Sequence, residues 1–176
     1  MTEDEVYAML AKAFGPGTRL KEFRDLGPLE GLRESVKYWH WAEDIQEKAT
    51  SDRKWWEYEN EKTLAYVLMG VFCWRLLGHD DFPALPDASP DVLMDEHAHL
   101  CLWSRSLPLD HVHKWVTCHH DRKTNRASHP RCKITGGKGS VGLSHQICDV
   151  CGEERFDPQP MVDRAQRMLK ERGVVL

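Results

Sequence analysis

Apolar residues recur at helical spacing over most of the first hundred positions. Val6, Met9, Leu10 and Ala13 follow Thr2 and Glu5, whose separation is that of a capping box, so a first helix is predicted to end near Phe14. Gly15-Pro16-Gly17 stops it. Gly27-Pro28 opens the next, because the fixed φ of proline suits a first helical turn. From Leu29 to about Lys48, the residues Leu32, Val36 and Trp39, with Tyr38, Trp41 and Ile45 beside them, mark a broad buried face, expected to be core rather than a ligand cage. Ser51-Asp52 then offers an N-cap for a long helix running to Leu77. Its first half is expected to be charged and exposed apart from Trp55, Trp56 and Tyr58. Its second half, Leu64 to Leu77, is apolar nearly all round, the pattern of a helix at the centre of a bundle. Gly70 stands where another helix could approach closely, although glycine costs about 1 kcal/mol relative to alanine in a helix interior.

Pro83, Pro86 and Pro90 interrupt regular structure until Ser89-Pro90-Asp91 starts a fourth helix, predicted over Asp91 to about Ser104 with Val92, Leu93, Leu100, Cys101 and Trp103 as its apolar face. A last helix begins at Asp157-Pro158-Gln159-Pro160 and carries Met161, Ala165, Met168 and Leu169 on one side. Gly173 ends it, just past Lys170 and Arg172, which suit the negative end of the helix dipole. Between these two helices the helical period disappears. Lys133-Ile134-Thr135 and Val141 to Ile147 flank the glycine-rich run Gly136 to Ser140 and predict a β-hairpin. The expected fold is therefore mainly α: an acidic helical-bundle body over residues 1–108, a basic hairpin segment over 109–157, and a C-terminal helix over 158–176 that packs back on the body.

Charge changes this picture more than composition does. The net charge of −4 hides an asymmetry: residues 1–110 carry 12 Lys or Arg against 21 Asp or Glu, and residues 111–176 carry 12 against 7. A basic satellite on an acidic body can present its positive face to nucleic acid or to an acidic protein surface. Arg122, Lys123, Arg126, Arg131 and Lys138 are the candidate contact residues. No run of about 18 uncharged apolar residues is present, so no membrane span is expected. The acidic start Met1 to Glu5 is unlike a secretory signal, which makes a cytoplasmic protein with reduced thiols the simplest expectation. Cys73 and Cys101 lie in apolar helical patterns and are expected to pack in the core.

The chemistry is concentrated in His111 to Gly152, which holds four of the six cysteines and six of the ten histidines. Cys148-Asp149-Val150-Cys151 can point two thiolates at one ion, and Gly152 frees the turn to enter positive φ. His129-Pro130-Arg131-Cys132 forms a second pair upstream. Two such knuckles joined by a hairpin resemble a zinc ribbon, with histidine at the place of the first cysteine. That resemblance implies a structural zinc ion held by His129, Cys132, Cys148 and Cys151. A second reading pairs Cys148 and Cys151 with the earlier His111-Val112-His113-Lys114-Trp115, because a His-Lys-Trp strand followed by Cys-x-x-Cys-Gly also looks like small zinc proteins of bacteriophages. Cys118, His119, His120, His129 and Cys132 are then left for a second site.

Enzymatic alternatives are weaker. Glu96-His97-Ala98-His99 with the distant Cys148-x-x-Cys151 is superficially similar to cytidine deaminases, but the residue two after His97 is histidine, so the proton-shuttling carboxylate is missing. Asp110-His111 with Asn125 and His129 suggests an HNH-type nuclease, yet here the cysteine pair follows the motif and Asn125 lies too close to His129. The expectation is a non-enzymatic protein whose structural zinc stiffens a basic loop that contacts nucleic acid or a nucleic-acid-processing enzyme. The rival is a phage-type inhibitor or adaptor of a host protein. It would act through the acidic body, where Glu43, Asp44, Glu47, Glu57, Glu59 and Glu61 could imitate nucleic acid.

Overall fold

Helix α1 (Glu3–Phe14) starts on the anticipated capping box: Thr2 Oγ1 accepts from the Glu5 amide at 3.3 Å, and Glu5 accepts from the Thr2 amide at 2.7 Å. Replacing Thr2 by alanine leaves the Glu5 amide unsatisfied and is expected to lower stability by about 1 kcal/mol, read from urea denaturation. A short helix α2 (Leu20–Phe23), which periodicity did not announce, buries Leu20 and Phe23. Helices α3 (Pro28–Glu47) and α4 (Asp52–Leu76) follow, the first with proline in its opening turn and the second capped by Ser51. The structure is a computed structural model, and it describes residues 1–15, 18–84, 100, 103–107, 111–121, 124, 126–132, 144–155 and 158–176, with the side chains of 144 and 145 excepted.

Every residue of α4 from Leu64 to Cys73 is buried, so this half-helix is the axis of the core. Glycine brings its neighbours close at two points. A β-carbon on Gly31 of α3 would fall 2.1 Å from the Phe72 ring, and one on Gly70 would fall 2.8 Å from the Ser104 carbonyl. The expected close approach at Gly70 is therefore made by the helical turn Trp103 to Ser106, whose four residues are all buried. Most of the anticipated helix Asp91 to Ser104 lies outside the described residues, as does Cys101, while Cys73 is fully buried as expected. The aromatic face is less buried than the periodicity predicts. Trp41 is 44% exposed and stacks on Tyr38, and Trp55 and Trp56 pack edge-to-face on each other at 41% and 63% exposure. A ring can cover one face against another ring and leave its opposite face wet, which a helical wheel does not resolve.

Strands β1 (Trp115–His119) and β2 (Ser144–Cys148) form a two-stranded antiparallel sheet with Trp115 opposite Cys148 and His119 opposite Ser144. The expected hairpin put the partner of 141–147 at 133–135. Residues 133–143 lie outside those described, and among the described residues the partner of β2 is β1. β1 alternates exposed Thr117 and His119 with buried Cys118 and His120, the period of a half-buried strand. Helix α5 (Gln159–Glu171) buries Met161, Val162, Ala165, Met168 and Leu169 against α3 and α4. Its Arg164 reaches Glu153 at 3.0 Å, which ties the sheet segment to the helices. The chain is thus mainly helical with one small sheet, and among the described residues no helix is long and apolar enough to cross a membrane.

Candidate metal centres

The register of the sheet decides which thiols and imidazoles meet. Alternate residues ahead of β1 share a side, so His111 and His113 both reach the turn that follows β2. That turn is closed by the Gly152 amide donating to the Cys148 carbonyl at 2.8 Å and the Cys148 amide donating to Glu153 at 2.8 Å. Gly152 has φ +79°, the left-handed conformation its sequence position suggested, and a β-carbon there would press on Arg131 at 3.1 Å. Within this frame one ligand atom from each of His111, His113, Cys148 and Cys151 lies within 4.8 Å of the others. Cys148 Sγ is 3.6 Å from His111 Nε2, and Cys151 Sγ is 3.5 Å from His113 Nδ1. A tetrahedral ion with ordinary metal–sulfur and metal–nitrogen bonds separates those ligands by about 3.6 Å.

His113 is held in the tautomer a ligand needs. Its Nε2–H donates to the Arg105 carbonyl at 2.8 Å, with Glu153 Oε2 3.4 Å away, which leaves the Nδ1 lone pair facing the thiols. Burial pushes this imidazole down to about 4, so it is neutral at physiological pH. Burial likewise pushes the Cys151 thiol up to about 11. A bound cation reverses that second effect by stabilising the thiolate.

A second group lies further along β1. Cys118, His120 and Cys132 bring one ligand atom each within 4.8 Å of one another, with Cys132 Sγ 3.4 Å from His120 Nε2. Cys118 and His120 share the buried side of the strand. The chain then loops back, with the Asp121 amide donating to Arg126 and the Ser128 amide to His119, which carries Cys132 over both. Among the described residues this group has three members. The structure thus groups His111 and His113 with Cys148 and Cys151, as the second reading paired them, and brings together Cys118, His120 and Cys132 from among the residues that reading left over. In each group a histidine stands two residues from another member on an extended segment, His111 before His113 and His120 after Cys118.

His129 belongs to neither cluster. Its Nδ1 accepts from the Arg131 amide at 3.2 Å and its Nε2–H points at Asp149 Oδ1, 3.3 Å away. That hydrogen bond, with the charge of Lys114, holds the Asp149 carboxyl below its usual range despite some desolvation. The pairing His129–Cys132 is accordingly split, and the knuckle expected from the zinc-ribbon resemblance does not assemble around one ion. No disulfide joins the described cysteines.

Of the basic residues, Arg131 donates to the Val150 carbonyl and so braces the Cys148–Cys151 turn, while Arg126 is exposed on the return loop. Arg122, Lys123 and Lys138 lie outside the described residues, as do Asp110 and Asn125 of the nuclease reading. The class of protein defined so far is a helical body bearing a small sheet with two Cys/His clusters that could each hold a metal ion. No protein-family model matches the chain, and no curated protein or solved structure is significantly similar to it.

Proposed function

We propose that this is a non-enzymatic recognition protein in which zinc at the two Cys/His clusters stiffens residues 111–152 and presents a basic loop to nucleic acid or to a complex that processes it. The observation that carries this reading is the pair of clusters with sulfur–nitrogen separations of 3.4 to 3.6 Å. Mixed thiolate and imidazole sets favour zinc over magnesium or calcium, and the four-residue set of His111, His113, Cys148 and Cys151 would leave no open position on its ion for a reacting water. His111, the base that a nuclease would need, faces Cys148 instead. Among its described residues the segment has few buried apolar side chains, so metal would supply the rigidity that a core supplies elsewhere. The bacteriophage-type resemblance and a cytoplasmic setting fit this reading.

The basic loop between Asp121 and Lys138 favours contacts to phosphates over reading of base edges, because it offers cations and no exposed aromatic residue for stacking. Reversing the charge of Arg122, Lys123 and Arg126 together is expected to weaken binding of DNA or RNA more than tenfold. It should also flatten the dependence of log K on log salt by nearly one per lost contact, about 0.9 for duplex and about 0.7 for single strands. Fluorescence anisotropy at two salt concentrations checks this, and unchanged affinity would remove nucleic acid as the partner.

The rival, an inhibitor or adaptor working through the acidic body, is supported by the exposed Trp41, Trp55 and Trp56 beside Glu43, Asp44, Glu47 and Glu57. Much of that acidity is already engaged, however. Asp44 pairs with Lys48, Glu57 with Arg53, and Glu61 accepts from Tyr38.

A further inference from the structure

Glu153 stands where the first cluster meets the helical body, and it acts there in two ways. Its carbonyl accepts from the Cys148 amide at 2.8 Å, which helps close the turn that carries both thiols. Its carboxylate lies 3.4 Å from His113 Nε2 through Oε2 and accepts from Arg164 of α5 at 3.0 Å through Oε1. The bridge is largely shielded from water, since the Glu153 and Arg164 side chains are 18% and 20% exposed and that of His113 is fully covered. Charges placed so are screened far less than a surface pair. The other contacts of His113 also lead into the helical body. Its amide donates to Ser106 Oγ at 3.2 Å, and its ring stacks on Trp115 with centroids 4.7 Å apart. The Trp115 ring in turn carries the Arg105 guanidinium, 5.0 Å from its centre, and that buried guanidinium finds no hydrogen-bond partner among the described residues. The same turn sets Ser104 against Gly70 of α4. An imidazole whose Nδ1 faces the thiols is thus joined to α4 through residues 104–106 and to α5 through Glu153.

We propose that Glu153 is a positioning residue of the first metal centre and that, through Arg164, it makes metal binding and the docking of the sheet on α5 one coupled event. This inference rests on the metal reading above. A carboxylate on the far side of a ligating imidazole fixes the ring's tautomer and orientation and raises its basicity toward the ion. Arg164 keeps that carboxylate aimed, although it touches no ligand itself. Coupling of this kind is reciprocal: the factor by which the Glu153–Arg164 contact raises metal affinity is the factor by which metal tightens the contact. Metal at this cluster therefore stiffens the seat of the sheet on the helices as well as residues 111–152.

The test uses the full chain carrying Cys132→Ser, so that the first cluster alone is loaded, and titrates it with zinc against a chromophoric chelator. Glu153→Gln keeps the carbonyl that accepts from Cys148 and nearly the same side-chain volume, but loses the charge. It should weaken zinc binding about 10–100-fold, the usual effect of removing an outer partner of a metal-bound histidine. Arg164→Met should weaken binding in the same direction, and Arg164→Lys should restore most of the loss. In melting, Glu153→Gln should narrow the gap between the zinc-loaded and metal-free proteins, because ligand-linked stability follows affinity. A residue that only props the fold would lower both melting points alike. Amide exchange reads the converse: zinc should slow exchange over Ala165 to Leu169, and should fail to do so once Arg164 is methionine. Zinc affinity unchanged by Glu153→Gln overturns the inference, as do two melting points that fall together or an α5 whose exchange is indifferent to zinc. A Cys132→Ser chain that takes up no zinc overturns the metal reading itself, and the inference with it.

Discussion

Serine at Cys148 is expected to release one zinc ion per chain and leave the other in place, and serine at Cys132 to release the ion that Cys148→Ser keeps. The reason lies in the partition of ligands: Cys148 joins His111, His113 and Cys151, while Cys132 joins Cys118 and His120. Structural zinc sites contribute apparent binding free energies of about 10–16 kcal/mol, and an oxygen in place of a thiolate forfeits enough of this to empty a site at micromolar metal. Elemental analysis of gently purified protein, read beside amide hydrogen exchange, should show each single variant losing protection around its own cluster only. The double variant should hold no zinc. A single four-ligand ribbon makes the opposite prediction, since either substitution would remove the same ion and the double variant would resemble each single one. In all three variants the helical body should still melt cooperatively, because its core, built mainly from α1 to α5, contains none of the clustered cysteines and histidines.

Alanine at Gly31 should destabilise that body by about 1–3 kcal/mol, the usual cost of overpacking a filled core. The sign is the informative part. In an unconstrained helix interior the same change stabilises by about 1 kcal/mol. Here the added methyl would fall 2.1 Å from the Phe72 ring, at the contact between α3 and α4. The ring is fully buried and also packs near Phe23 at 6.4 Å between centroids, so it cannot swing away cheaply. Shortening the ring as Phe72→Leu should recover part of the loss in the Gly31→Ala background while costing stability in the parent. A double-mutant cycle in urea would then give a coupling of favourable sign. Additive effects would mean that the two helices adjust their separation instead. Phe72→Ala alone should cost about 3–5 kcal/mol, since it leaves a ring-sized cavity.

The helical part was legible along the chain because its signals are local. The Thr2/Glu5 box, Gly27-Pro28 and Ser51 act within one turn, and the starts of α1, α3 and α4 fall where they point. The unbroken apolar run of α4 likewise announced its central place. Burial on the rim of the bundle was less readable. Trp41, Trp55 and Trp56 have core-like chemistry but end half-covered, because the extent of a buried face depends on how far the neighbouring helix reaches.

The clusters show the same division more sharply. A density of cysteine and histidine between His111 and Gly152 was enough to locate the chemistry, since reduced thiols at that spacing have few other uses. The grouping of these residues was open between two readings, and the one that put His111 and His113 beside Cys148 and Cys151 matches the cluster seen, whereas the knuckle His129–Cys132 does not. His129 and Cys132 stand three residues apart, yet one turns to Asp149 and the other to His120. Spacing fixes distances within a turn, whereas ligand partnership here depends on β2 returning alongside β1 in one register; a slip of one residue would turn the inward face outward. Arg105 is the extreme case: a charged residue beside Trp103 and Ser104 gives no local sign of burial. It is enclosed because the helical turn that carries it presses on Gly70 from one side while Trp115 of the sheet covers the guanidinium. Local chemistry thus set the helices and named the stretch rich in cysteine and histidine; the assembled packing chose which of those residues cluster and buried a cation without a partner.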